Sequence, residues 1–146
     1  MVVIGLGIIG QLVCRLAEAQ GSEVIGIDPD TKRTDLSTNF YTSVEEANMT
    51  NVDSVIITAA TSSNEPIEVA TKIARNKAKI VVVGDIPLNI SRNDFYYKEL
   101  ELVVSKSYGP GRYDKQYEIL GKDYPIEYVR WTENRNFEAF ILSLIH

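Results

Sequence analysis

An α/β domain is the fold class this sequence predicts: a doubly wound parallel sheet of about six strands, helices on both faces, three layers in all. Three observations carry the prediction. Short β-branched runs alternate with stretches of helical periodicity from Val2 to Ser105. The first run leads directly into a glycine-rich turn, Gly5-Leu6-Gly7-Ile8-Ile9-Gly10. The main runs are apolar at nearly every position, as strands covered on both faces are.

The elements follow in order. Val2-Val3-Ile4 reads as a strand buried on both faces. Ile9, Leu12, Val13, Leu16 and Ala17 come next at helical spacing, and Gly21 stands where a helix stops. Glu23 to Asp28 is a second buried strand closed by Asp28-Pro29-Asp30, which completes a βαβ unit. Lys32 to Leu36 holds one helical turn or two, and Asn39 to Thr42 a short third strand. Ser43-Val44-Glu45-Glu46 has capping-box spacing and predicts a short helix from Val44. Ser54 to Ala59 is a clear buried strand. Pro66 sits near the start of a helix with Ile67, Ala70, Ile73 and Ala74 on one face. Lys79 to Val83 is another strand, ended by Gly84-Asp85-Ile86-Pro87, and Glu101 to Ser105 is the last.

From Tyr108 the character changes. Tyr108-Gly109-Pro110-Gly111-Arg112-Tyr113 is turn-rich, and Tyr113, Tyr117, Tyr124 and Tyr128 lie close together. Thr132 or Glu133 opens a final helix with Phe137, Phe140, Ile141 and Leu144 on one face, a stripe that Leu142 and Ile145 widen. The expected organisation is one nucleotide-binding domain over residues 1–146, with a core at 1–107 and a loop plus helix at 108–146. A start inside a central strand and an end on an apolar helix give the expectation of a segment of a larger protein.

Composition removes several chemistries. At 146 residues and 45% hydrophobic, the chain can bury a core without a disulfide or a metal staple. Fifteen basic against 20 acidic residues, a net charge of −5, argue against a nucleic-acid or anionic-membrane binder. Cys14 is the only cysteine and His146 the only histidine. A zinc site made from the chain's own Cys and His is thereby excluded, as are Ser-His-Asp and Cys-His triads. No apolar run approaches the roughly 18 residues of a membrane span, and no basic leader precedes an apolar stretch. The expectation is a soluble, cytoplasmic protein. Cys14 reads as a packed small hydrophobe and His146 as a terminal residue. Asp85 reads as a loop cap before a general base, and Arg112 as a solvated or interface arginine before an anion clamp. The tyrosines read as packing or interface residues.

The glycine turn has the context that gives its pattern meaning: it follows a strand, opens a helix and lies inside a βαβ unit. In a Rossmann-type site Gly5 allows the tight turn, Gly7 lets the backbone approach a pyrophosphate, and Gly10 lets helix and strand pack closely. The anion rests on the free N–H groups of the helix, where the macrodipole favours negative charge. Asp28, at the end of the second strand, is placed to accept hydrogen bonds from the adenosine ribose hydroxyls. A carboxylate there repels a 2′-phosphate, so NAD is preferred over NADP, with Arg33 the nearby cation that qualifies the argument. The competing explanation is structural: three glycines that only make a turn, and an aspartate that only caps the next one.

Ile4 to Gln11 and Val24 to Asp30, with Lys98-Glu99-Leu100-Glu101-Leu102, resemble the cofactor domain of medium-chain, zinc-dependent alcohol dehydrogenases. A downstream block is narrower: Ser107 to Asp114, Asp123-Tyr124-Pro125 and Tyr128 to Glu133. It resembles a subgroup, of threonine or sorbitol dehydrogenase type, fused to a Gfo/Idh/MocA-type oxidoreductase. The resemblance implies that Gly5, Gly7, Ile8, Ile9 and Gly10 form the pyrophosphate turn and that Asp28 and Arg33 hold the ribose. It implies that Thr58, Ala59, Val83 and Asp85 line the nicotinamide side through backbone groups. It also implies that zinc and the proton relay belong to a catalytic domain outside this sequence, that the substrate is a small alcohol or polyol, and that two copies can pair through an edge strand. The segment between the second and fourth strands is shorter than the family norm, and no Glu-Lys-Pro sequence of the fused partner occurs.

Three functional classes compete: a dinucleotide-binding domain of a dehydrogenase, a stand-alone dinucleotide-sensing regulatory module, and a methyltransferase. A sensor has no evident need for the Tyr108–Asp114 and Tyr124–Glu133 blocks. A methyltransferase loop reads GxGxG, whereas Ile9 stands at its last glycine. No tyrosine is followed four residues later by lysine, which sets aside short-chain dehydrogenases. The first class is the expectation: an NAD-binding domain without catalytic residues of its own.

Overall fold

In the computed structural model, which describes residues 1–34 and 39–145, six strands build one sheet. They are β1 (Val2–Ile4), β2 (Ile25–Ile27), β3 (Phe40–Tyr41), β4 (Val52–Ile57), β5 (Ala74–Val82) and β6 (Glu101–Val104). The helices between them are α1 (Ile8–Ala19), α2 (Thr31–Thr34), α3 (Val44–Ala47), α4 (Glu65–Ile73) and α5 (Arg92–Lys98). Every pairing is parallel and the order is β3-β2-β1-β4-β5-β6. That order reverses direction between β1 and β4, the switch point at which open α/β sheets bind ligands. Two helices follow, the one-turn α6 (Lys115–Glu118) and the longer α7 (Glu133–Ile145). The chain divides into two compact units, Met1–Ser105 and Lys106–His146, and the sheet belongs to the first. Leu36, His146 and the side chains of Leu144 and Ile145 lie outside the described residues.

The pleat sends alternate side chains to opposite faces, so β1 serves two cores. Val2 and Ile4 join Val55, Ile57, Ile80 and Val82 against Ile67, Ala70 and Ile73 of α4. Val3 joins Leu6, Cys14 and Val24 under α1. Burying each such side chain stabilises the sheet by about 1.5–3 kcal/mol. The α1 side thins out along the row Val3, Ile56, Val81, Val103: the first is buried, the next two are half-buried and the last is exposed.

Two expectations need correction. The helical stripe in α1 does not turn inward as a whole: Ile9 and Leu16 are exposed, and Gly10 and Cys14 are the buried residues. The helix lies so close to the turn that a Cβ on Gly10 would stand 1.9 Å from Gly5 O, so small residues face the sheet. The second correction concerns β5, which starts at Ala74, immediately after α4, rather than at Lys79. Ala74 pairs with Val52 before the register shifts to Ser54 and Lys79, and Lys77 takes a φ of +60° within that irregular stretch.

Local chemistry sets the helix ends. Ser43 Oγ accepts the Glu46 N–H at 3.2 Å, while the Glu46 carboxylate accepts from both the N–H and the hydroxyl of Thr42. The α5 start is a second Ser-x-x-Asp cap, Ser91 with Asp94, that the reading of strands passed over. Lys98 ends α5 and donates from its ammonium to the carbonyls of Thr71, Lys72 and Ala74 at 2.7–2.9 Å. A cation thus covers the negative end of α4, which locks α4 to α5.

Candidate dinucleotide site

The turn after β1 is shaped by its glycines. Gly5 has a φ of +96°, and a Cβ there would fall 2.5 Å from Ala59 N, so both backbone strain and the neighbouring strand demand glycine. Gly7 is the N-cap of α1 and supplies no side-chain hydrogen bond to it. A Cβ on Gly7 would meet nothing within 4 Å and would project into open space. Ile8 and Ile9 begin the helix with exposed side chains. Among the described helices longer than one turn, α1 alone has no acidic residue in its first turn. Its leading N–H groups therefore meet neither a cap nor a carboxylate, the arrangement an anion needs.

Asp28 follows β2 and is 3% exposed. Its Oδ2 accepts the Leu6 N–H at 2.7 Å and an Arg33 N–H at 3.0 Å, and its Oδ1 accepts the Asp30 N–H at 2.9 Å. Burial alone would raise its pKa, but the Asp30 and Leu6 amides and the Arg33 guanidinium outweigh it and hold the carboxyl below its ordinary value. Asp28 is therefore an anion at neutral pH. Arg33, on the one-turn α2, shares its charge between Asp28 and Asp30, the latter at 3.5 Å.

The ends of β4 and β5 complete the floor. The N–H groups of Thr58 and Ala59 both donate to Ile4 O, and those of Val83 and Gly84 to Ile57 O. The backbone donors at Thr58, Ala59 and Val83 are thus already spent on the sheet. Asp85 is exposed, and its carbonyl accepts the Thr61 N–H at 3.0 Å. Sequence reasoning read Gly84 only as part of the turn that ends a strand, whereas a Cβ there would stand 1.9 Å from Ala59 O. A glycine directly after a buried strand was the signal available. The structure brings Gly5, Gly10, Thr58, Ala59 and Gly84 together at one point, with Asp28 and Arg33 on the other side of β1.

No family model matches the chain, and no curated protein matches it. Solved structures do. A zinc-binding dehydrogenase (so described) of Sinorhizobium meliloti 1021, bound to NADP, is 25% identical with a TM-score of 0.61. That match covers 71% of this chain and 36% of the other. Galactitol-1-phosphate dehydrogenase of Escherichia coli is 22% identical over 77% of this chain and 38% of its own, TM-score 0.59. The 2R,3R-butanediol dehydrogenase of Bacillus subtilis is 19% identical over 73% of this chain and 35% of its own, TM-score 0.60. The fold is a Rossmann fold. The chain spans little more than a third of the length of the dehydrogenases it matches.

Residues of the second unit that drew attention in the sequence have local partners. Arg112 pairs with Glu118 at 2.5 Å and lies over the rings of Tyr108 and Tyr113. Tyr117 stacks on Tyr124, donates its hydroxyl to Thr132 Oγ1 at 2.9 Å and accepts the Asn134 N–H. Tyr124 donates to Asp114 at 2.6 Å, which holds that carboxyl below its usual range. In the first unit, burial pushes the Cys14 thiol up to about 11, out of reach of nucleophilic use near neutral pH. Among the described residues no three His, Cys, Asp or Glu side chains gather as metal ligands, and no helix is long and apolar enough to cross a membrane.

Proposed function

We propose that this chain is the NAD-binding domain of an alcohol or polyol dehydrogenase-like oxidoreductase. The observation that carries the reading is the acid-free, uncapped start of α1, opening from the glycine turn beside the buried Asp28 carboxylate. A pyrophosphate fits there because Gly7 leaves open the space that any side chain would fill. Ile8, Ile9 and Gly10 offer N–H groups to it. Asp28 orients the adenosine ribose, with Arg33 beside it. Thr58, Ala59, Val83 and Asp85 border the nicotinamide side. When bound, the dinucleotide supplies the hydride acceptor.

NAD is preferred over NADP in this reading because Arg33 is shared by two carboxylates and leaves the ribose end net negative. Zinc and acid–base groups come from a catalytic domain outside this sequence, and the hydride comes from a small alcohol or polyol held against it. The tail blocks from Ser107 to Glu133 support the finer kinship to the subgroup fused to a Gfo/Idh/MocA-type oxidoreductase. The acidic balance and the short apolar runs support a cytoplasmic protein that binds neither nucleic acid nor membrane. The edge strand β6 is the place for pairing of two copies.

Calorimetric titration with NADH and NADPH tests the reading. NADH binds, NADPH binds about tenfold more weakly, and Asp28→Ala removes the preference. Failure of the chain to bind either dinucleotide, or an unchanged preference in the variant, overturns it. Oxidation of an alcohol by this chain alone would overturn the assignment of catalysis to another domain.

A further inference from the structure

The peptide between Gly5 and Leu6 is held at both ends. Its carbonyl, Gly5 O, accepts from Thr58 Oγ1 at 2.5 Å. Its N–H, on Leu6, donates to Asp28 Oδ2 at 2.7 Å. Gly10 packs against the same carbonyl, so closely that a Cβ would stand 1.9 Å from it. A peptide group is a rigid plane, so turning it to lose one of these bonds strains the other. Thr58 and Asp28 sit at the ends of β4 and β2, on opposite sides of β1, yet they grip one plane. Of the donors to Asp28, Arg33 and the Asp30 amide belong to the segment that follows it; the Leu6 amide ties the carboxylate to the glycine turn.

We infer that Thr58 is a positioning residue for the adenosine-ribose site: through the Gly5–Leu6 peptide its hydroxyl sets where the Asp28 carboxylate stands, and hence how a 2′-hydroxyl is told from a 2′-phosphate. The inference rests on the dinucleotide reading and assigns Thr58 a role that its backbone does not perform. The hydroxyl works on the side of the turn away from the ribose. Loss of it leaves Gly5 O held by its packing against Gly10, loosens the peptide plane and weakens the Leu6 N–H bond to Asp28, which then rests on Arg33 and the Asp30 amide.

The test compares the full chain with Thr58→Val, which removes the hydroxyl and keeps the shape, and Thr58→Ser, which keeps the hydroxyl. Two readouts are needed: affinities for NADH and NADPH by calorimetry, and hydrogen exchange at the Leu6 amide without ligand. In Thr58→Val the Leu6 amide exchanges about tenfold faster, NADH affinity falls about fivefold, and the preference over NADPH shrinks about threefold. Thr58→Ser behaves as wild type. Equal losses for both dinucleotides with unchanged Leu6 exchange overturn the inference and leave Thr58 a packing residue. If wild type binds NADH and Thr58→Val keeps its full preference, the inference alone falls. If wild type binds neither dinucleotide, the dinucleotide reading falls and the inference with it. Should Thr58→Val fail to fold because its methyl group crowds Gly5 O, Thr58→Ala, which removes the hydroxyl and puts nothing in its place, carries the same comparison.

Discussion

The two units hold themselves together by different physics. In Met1–Ser105 the strands and helices pack apolar side chains against one another, and every buried apolar side chain among the described residues lies there. In Lys106–His146 the buried positions among the described residues are Gly111 and Thr132, while Trp131, Phe137, Ile141 and Leu142 are exposed. That unit is knit by polar contacts instead: Tyr117 to Thr132, Tyr124 to Asp114, and Arg135 to Asp123 and the carbonyls of Tyr124 and Val129. Around 40 residues cannot bury enough surface to offset their conformational entropy by packing alone, so hydrogen bonds and ring stacking carry the local structure. Precision at a ligand site belongs with the first kind of unit, where a rigid sheet fixes the turn and the strand ends.

The contrast can be broken at its strongest point first. Ile80→Ala hollows the core between β4, β5 and α4, where Ile80 is fully buried, and costs about 2–5 kcal/mol. Chemical denaturation reads it, and a loss under 1 kcal/mol, about the size of a surface change, would deny the first unit a packed core. The Asp28 carboxylate comes next. Its folded-state pKa lies below the unfolded value, so its contribution is fully present above about pH 4 and disappears as pH falls through the folded value. Asp28→Asn therefore unfolds more easily than wild type at pH 7, by about 2 kcal/mol for the weakened charge-assisted bonds, and the gap closes in acid. A gap independent of pH would mean that the ionised carboxylate contributes nothing to folding. Phe137→Ala, on the exposed face of α7, is the smallest change, within about 0.5 kcal/mol. A loss above about 1 kcal/mol would show that face covered in solution and erase the contrast between the units.

How much was legible in the sequence follows the range of the forces. The runs at Val2, Ser54 and Glu101 became β1, β4 and β6 with ends shifted by no more than two residues, because β-branched patterning is a property of neighbours in the chain. Gly5, Gly10 and Asp28 stood out for the same reason, as residue types with one local use. The inward face of α1 was misplaced at Ile9 and Leu16, since periodicity ranks apolar residues by hydrophobicity. The approach of helix to turn selects by size and admits only Gly10 and Cys14. The early start of β5 depends on Val52, a pairing that no pattern within residues 74–78 announces. Arg112 was open to an anion until Glu118 took its guanidinium.

The sequence by itself determined the alternation of strands and helices, the glycine turn and the acid after β2, because backbone preference and side-chain periodicity act over a few residues. Only the tertiary structure decided that Thr58 answers Gly5 across 53 residues of chain, that Gly84 lies against Ala59, and that Asp28 is anchored by the Leu6 amide. Those contacts join strand ends brought side by side by the parallel order β2-β1-β4-β5, and hydrogen bonds act over about 3 Å of space, whatever the separation along the chain.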